Sequence, residues 1–576
     1  ITWREFISNL LRYRMDASVE KPSGPADMEV SSDKLFCCRG VRNKVPLTYR
    51  EELYHILRMT GPLLLSRILN YMLPFVVTMF CGRLGNDVMA GYGLASATIN
   101  VSTAATGTGL ALACDTLVSQ TFGGKNLLRV GVILQRGIII LLLFCLPCWG
   151  LLINAEAILL CLGQDPEVAR IAQLYITAFL PAVPAMFLHH LQVSYLQNQG
   201  IILPQMYTAA LANLANVVTN YIFLYWLDLG VGGSAAAHTL AWIYICAFLF
   251  VYIWWKKLHV STWGGWSAES LQEWGSYMKL AIPSTLMTCF EWWVYEFGGF
   301  FAGMLGEDEL AAQHAVIMVA FITYMFPLGV QAAACARVGN ALGAGDTDRA
   351  ILSLNMFFCG CVCTGIFLGT GKQKIPAVAN LIGYYCTGLS LSITLMFVVK
   401  LGVLGFWLGL LICVVLQSTF YIIVIFKLNW KRMTDEAVKR AQKKTYMTAL
   451  GTDVVSDVGQ TSSNGNVSGL LFSTRSKLVD VSLDGYTPVS TKCQATQGEH
   501  VDHDPKSSHL SITQLIIRRG LTMFAAVGLL AVGVGVYFLV PLPETLPANS
   551  TMDWINSTDT PDQIFTGVLV TLEEMA

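Results

Sequence analysis

Two carboxylates five residues apart, Glu291 and Glu296, enclose three aromatics in Glu291-Trp292-Trp293-Val294-Tyr295-Glu296. The hexapeptide sits inside an apolar run from about Leu280 to Leu305. A carboxylate at bilayer depth costs about 2.5–3.5 kcal/mol on insertion scales, so such residues mark ion or substrate paths by default. Five residues turn an ideal helix through about 500°, so the two acids lie about 140° apart in azimuth. They can line one cavity from its two flanks, but not stack on one stripe. The chemistry open to them is to hold a proton and a cation in alternation.

The rest of the chain has to keep these acids at depth. Of 576 residues, 54% are hydrophobic and only 13% charged, against about 25% charged in soluble domains. Mean hydropathy is +0.54. The chain reads as an all-α polytopic membrane protein whose first partner is the lipid bilayer. A net charge of −1 and the lack of a basic stripe with interleaved aromatics give no reason to expect nucleic acid. Ile1–Pro46 carries charges throughout and no apolar signal-peptide core. The sixteen cysteines are scattered. Cys145-Leu-Pro-Cys148, Cys359, Cys361 and Cys363 lie in apolar surroundings and read as buried thiols. We expect no metal site, no disulfide framework and no cofactor. No HExxH or GxSxG motif is present, and the Gly-rich turn Asn340–Asp346 has no following GK[ST], so an enzyme is not expected.

Apolar runs of spanning length fall at about 56–80, 92–120, 130–153, 171–196, 202–226 and 231–254, then at 280–303, 309–335, 351–368, 376–399 and 401–426. A last uncharged run covers 520–540. The expected organisation is a cytosolic N-terminal segment 1–50, a first lobe of six transmembrane helices 51–257 and a cytosolic linker 258–277. An incomplete second lobe 278–428 follows, then a disordered cytosolic segment 429–517, a C-terminal transmembrane helix 518–540 and an extracellular tail 541–576. Lys256-Lys257, the basic cluster 427–444 and Arg518-Arg519 mark the cytosolic side. Asn549-Ser-Thr and Asn556-Ser-Thr are glycan acceptors if the tail is extracellular.

The two halves repeat. Gly61-Pro62 and Phe80-Cys-Gly82-Arg-Leu-Gly85 recur as Ile282-Pro283 and Phe301-Ala-Gly303-Met-Leu-Gly306, with an offset of 221. Gly109 through Gly123 matches Gly329 through Gly343 at an offset of 220. Parallel repeats of this kind place a transporter's site between halves, near the midplane. Further on, Pro204 matches Pro376 and Leu229-Gly-Val-Gly-Gly233 matches Leu401-Gly-Val-Leu-Gly405, both at 172. The drop from 221 to 172 leaves 49 residues of the first half without a counterpart, between about Gly345 and Gly371. With cytosolic ends at 50 and 427 an even number of crossings is required, yet eleven runs are counted, so about one helix and its hairpin are expected to be missing.

These motifs carry a resemblance. Ala113-Cys-Asp-Thr-Leu-Val-Ser-Gln120-Thr-Phe-Gly123, Cys289-Phe-Glu291-Trp-Trp-Val-Tyr-Glu296 and Arg337-Val-Gly-Asn-Ala-Leu-Gly-Ala-Gly-Asp346 closely resemble the vertebrate multidrug and toxin extrusion (MATE) transporters. So do Trp263-Gly-Gly-Trp266 and Gln197-Asn-Gln-Gly-Ile-Ile-Leu-Pro204, and the likeness runs from about 50 to 430. It implies two six-helix lobes that rock about a central cavity, and proton-coupled antiport of organic cations at the plasma membrane. Glu291 and Glu296 occupy the positions of the family's acidic pair. Trp292 and Tyr295 would present aromatic faces, a contact of about 0.5–2 kcal/mol, and Asn100 matches a polar first-lobe position. The family's third acid, in its tenth helix, has no counterpart: no acid lies between Asp348 and Asp435. Two alternatives stand beside this reading. One is a transport-inactive, exon-skipped isoform or incomplete gene model; the other is a lipid flippase, for which a more cationic cavity is expected.

Other polar residues at depth have blander readings. Asp115 has Arg67 or Arg136 as conceivable partners, in an ion-pair network or a helix cap. Asn213, Asn216 and Asn220 recur at helical spacing and are read as interhelical hydrogen-bonding groups. His189-His190 are read as cavity-lining or core.

Overall fold

The computed structural model describes residues 47–354, 360–442 and 512–542. Among them there is no strand; helices run end to end. The first half opens with α1 (Leu47–Cys81), α2 (Asn86–Ile99) and α3 (Ala105–Gly123). α2 and α3 are one span, joined by a π-helical stretch at Asn100–Ala104. Next come α4 (Leu127–Leu152), the short α5 (Ala155–Cys161), and α6 (Pro166–Phe179) with α7 (Ala182–Gln197). α6 and α7 are bent by 58° at Pro181 and make up one broken span. α8 (Leu203–Tyr221), with a π-helical end, and α9 (Gly230–Trp255) complete the half. Asn213 and Asn216 donate to the carbonyls of Leu69 and Leu73 on α1, so the asparagine row does bond between helices.

The second half starts the same way, with α10 (Trp274–Leu305) and α11 (Glu307–Gly343). Then it departs. In place of α4–α7 its described residues form α12 (Thr347–Leu354) and α13 (Gly360–Thr370). The start of α12 lies 220 residues after that of α4, and the end of α13 lies 173 after that of α7. These two helices therefore correspond to the inner ends of the block Leu127–Gln197, and the outer portion has no counterpart. At 1.5 Å per residue, α12 and α13 measure about 12 and 16 Å, against about 30 Å of hydrocarbon.

The run 351–368 is thus not a crossing, which corrects the sequence expectation. Thr347 bonds Thr434 and Lys372 pairs with Glu436, both on α17 (Trp430–Ala441), so the segment begins and ends at one face. α14 (Lys374–Asn380) runs through a π-helical stretch into α15 (Ser390–Ile393), which ends in a second one, and α16 (Gly402–Lys427) closes the half. Among the described residues between 47 and 427, seven helices are long and apolar enough to cross a membrane, or eight with the bent pair α6–α7 as one span. α17 also departs from expectation: the first part of a segment expected to lack structure is an amphipathic helix. Asn429 caps it by accepting from the Arg432 amide. The N-terminal 46 residues, Cys359, the stretch 443–511 and the acceptors Asn549 and Asn556 lie outside the described residues.

The repeats meet about a pseudo-twofold axis. A Cβ on Gly109 would strike the backbone of Thr285, and one on Gly329 would press on Leu64, the matching pair at the repeat offset. Likewise Gly123 abuts Asn340 and Gly343 abuts Gln120, while Gly339 touches its own counterpart Ser119. Small residues are needed there because two helix backbones touch. Polar bonds seal the same, basic face. Glu52 on α1 accepts from Arg337 Nε at 2.9 Å and from Ser353 at 2.7 Å. α17 straps both halves: Arg440 donates to Gln120 at 2.8 Å, and the Ala441 carbonyl accepts from Asn126. Finally α18 (Ile512–Leu539) lies along α4, with Gly533 against Gly150 and Arg519 over the Trp274 ring at 4.2 Å. Arg519 thus stays at the face where α10 starts, and the helix runs to the other.

Candidate functional site

α10 is long enough to carry the acidic hexapeptide to mid-depth. Glu291 lies about 25 Å from its N-terminal end and about 20 Å from the other. Along α10, Thr285 meets Gly109 and the Trp293 indole donates to the Val101 carbonyl at 3.0 Å. Val101 belongs to the π-helical stretch between α2 and α3. A π turn widens the helix and frees backbone groups, which is why such turns gather at functional sites. Here one freed carbonyl takes a tryptophan from the opposite half.

Beyond that bond the halves part. Glu296, less than one turn further along α10, is exposed, and so is Asn100 across from it. Trp292 packs against the first-half core from the same side of α10. Glu296 and Asn100 therefore flank the Trp293–Val101 bond, each within a few residues of it in sequence. Glu291 and Tyr295 point elsewhere. Glu291 is half-buried and accepts from the Tyr324 hydroxyl on α11. Tyr295 stands between Phe321 and Trp407, each with ring centroids 6.2 Å away. Glu291 is thus tied to α11 within the second half, whereas Glu296 is exposed. Tyr324, Trp293 and Trp407 were not anticipated. The one available signal for Tyr324 was a phenol in an apolar run, three residues before Pro327.

In the first half, Asp115 is buried and accepts from Gln197 Nε2 at 2.9 Å and from Asn198 Nδ2 at 2.5 Å. Arg67 reaches the same cluster through Gln197 Oε1 at 3.4 Å. Arg136 does not; it pairs with Glu273 at 3.9 Å and the Glu269 carbonyl at 3.0 Å. Asp115 and Arg67 therefore form a network through an amide rather than a direct ion pair. His189 and His190 surround Trp242, with ring centroids 6.3 and 6.1 Å away.

Helix repeats in small-residue contact, with eight or nine described helices long and apolar enough to cross a membrane, define a two-repeat polytopic membrane protein. Comparison with known proteins places it further. The MatE family profile matches residues 62–222 and 283–359. The chain is 43% identical over 566 residues to multidrug and toxin extrusion protein 1 of Danio rerio, covering 88% of this chain and 94% of that protein. It is 40% identical to the Homo sapiens protein of the same name, covering 91% and 100%. The crystal structure of the eukaryotic MATE transporter AtDTX14 shares the fold, with a TM-score of 0.65 at 24% identity over 69% of this chain and 100% of that one. The chain belongs to the multidrug and toxin extrusion family, and its relatives are transporters rather than enzymes.

Proposed function

We propose that the protein expels organic cations across the plasma membrane in exchange for protons, with Glu291 as the exchanging group. The observation that carries this is the Glu291–Tyr324 pair at mid-depth. A carboxylate there is costly unless neutralised. A proton or an ammonium can each neutralise it, and one carboxylate cannot hold both at full strength. Tyr324 can bond the carboxyl in either state, so the pair accommodates the exchange without rebuilding. Glu296, Trp292 and Asn100 form the wall a cation meets first in the cleft, and Tyr295 supplies an aromatic face behind it. The Asp115–Arg67 network supports the first half without facing the cation. In this reading the contacts that close the cytosolic face break when the halves rock, and Glu296 and Asn100 then close toward each other.

The test is proton release. Tetraethylammonium added to the full chain in lipid nanodiscs, under weak buffering with a pH indicator, should release about one proton per cation bound. Glu291→Gln should bind weakly and release none. Equal release by the variant would remove Glu291 from the mechanism.

A second reading has its own observation: α12 and α13 cannot cross, so the chain binds cations but does not carry them. Proton release without pH-driven flux would favour it.

A further inference from the structure

Two arginines precede the uncharged run of α18, and the protein uses little of either. Arg519 donates from Nε to the Leu271 carbonyl at 2.7 Å and lies over the Trp274 ring. Among the described residues nothing accepts from its two terminal nitrogens. Arg518, beside it, is exposed and makes no hydrogen bond or ion pair with a described residue.

Two more arginines approach the same piece of chain from α4. Arg129 and Arg136 stand seven residues apart and so share one helix face. Arg129 pairs with Glu273 at 3.2 Å; Arg136 pairs with Glu273 at 3.9 Å and donates to the Glu269 carbonyl at 3.0 Å. Arg136 is buried, and its Nε has no partner among the described residues. It lies within electrostatic reach of both Arg129 and Arg519. Residues 269–274, which lead into α10, offer two carboxylates, Glu269 and Glu273, against these four guanidinium groups. The corner therefore keeps an excess of positive charge. It also borders lipid: α18 is long and apolar enough to cross a membrane, and Ile517 and Leu521, one turn apart around the arginines, are exposed.

We propose that this corner binds the headgroup of an anionic phospholipid, with Arg518 and Arg519 donating to its phosphate oxygens. Arg519 is already oriented by Leu271 and Trp274, so its free fork is set for two parallel bonds to phosphate. Arg129 and Arg136 add their field from behind. The acyl chains lie along the outer face of α18 at Ile517 and Leu521. Charge selects the headgroup, because the ammonium of a zwitterionic lipid would meet four arginines. The apolar face beside the arginines selects a lipid over a soluble phosphate. A lipid held there fastens α18 to the segment that leads into α10, the helix carrying Glu291.

The test is native mass spectrometry of the full chain in detergent, with dioleoyl phosphatidylserine, dioleoyl phosphatidylcholine and inorganic phosphate as separate probes. We expect one phosphatidylserine to be held at least fivefold more tightly than phosphatidylcholine. Arg518→Gln removes a side chain without a protein partner, so the lipid-free unfolding temperature should stay the same. The same variant should weaken phosphatidylserine about fivefold, the factor for one basic residue at an anionic surface. Lys431→Gln, at an exposed lysine on α17, should leave lipid binding unchanged. Equal binding of the two lipids, full binding by Arg518→Gln, or an equal loss in Lys431→Gln overturns the proposal. Displacement of phosphatidylserine by an equal concentration of inorganic phosphate makes the site one for soluble anions and overturns it too.

Discussion

The two halves begin with the same pair of helices and then diverge. In the first, α4–α7 wrap that pair and bury a continuous core that includes Ile140, Cys145, Cys148, Tyr175, Phe179 and Phe187. In the second, the stubs α12 and α13 leave two separate clusters, one around Val338, Phe367 and Tyr421 and one around Val294, Met396 and Phe406. The opening pair suffices to build the contact between halves and to set a carboxylate at mid-depth. The block that follows supplies cover. Polar groups divide accordingly: the first-half acid, Asp115, is enclosed by amides, while Glu291 accepts from one hydroxyl.

That comparison can be broken most severely by making the halves alike. Excising 135–183, the same 49 residues, would shorten the first half to the pattern of the second and remove most of its core. We expect no monodisperse protein on fluorescence-detected size-exclusion chromatography; a well-folded product would show that the cover is dispensable in both. Next in size is a pair of truncations read by thermal unfolding. Phe187→Ala should cost about 3–5 kcal/mol, and Phe326→Ala, at an exposed site on α11, within about 0.5 kcal/mol. Similar losses would mean that the α11 flank is packed after all.

The acids sharpen the contrast. Asp115→Ala strands the amide donors of Gln197 and Asn198 and should cost about 1–3 kcal/mol of stability, with proton release intact in the protein that folds. Glu291→Gln should do the reverse, with unfolding unchanged and release abolished. The smallest effect concerns the strap. The Lys372 hydrogen bond, with help from Arg440 and Arg432, holds the Glu436 carboxyl below its ordinary value. A depressed carboxyl contributes docking strength that is full above the ordinary pKa of about 4.3 and is lost as pH falls through its lowered value. Hydrogen exchange of α17 should therefore quicken at acid pH, and Glu436→Gln should remove that dependence.

Much of this was legible because repeats and buried charge leave strong marks. Offsets of 221, 220 and 172 located the shortened block to within a few residues of α12 and α13. The run 351–368 misled because hydropathy reports burial, not direction: two short helices that return to one face look like one span. Azimuth arithmetic put Glu291 and Glu296 on different flanks of one helix, yet could not say that Glu291 bonds Tyr324 on α11. Tyr324, 33 residues from its partner, has no local mark beyond a phenol in an apolar run. α17 was hidden by its charge, since a strap on a polar face needs no apolar run.

The account stands or falls on Glu291. The direct measurement is radiolabelled tetraethylammonium uptake into proteoliposomes across an imposed pH jump, normalised to inserted protein. The unmodified chain should accumulate the cation, and Glu291→Gln should lose at least tenfold of that flux while unfolding at the same temperature. Uptake by Glu291→Gln equal to that of the unmodified chain would contradict it.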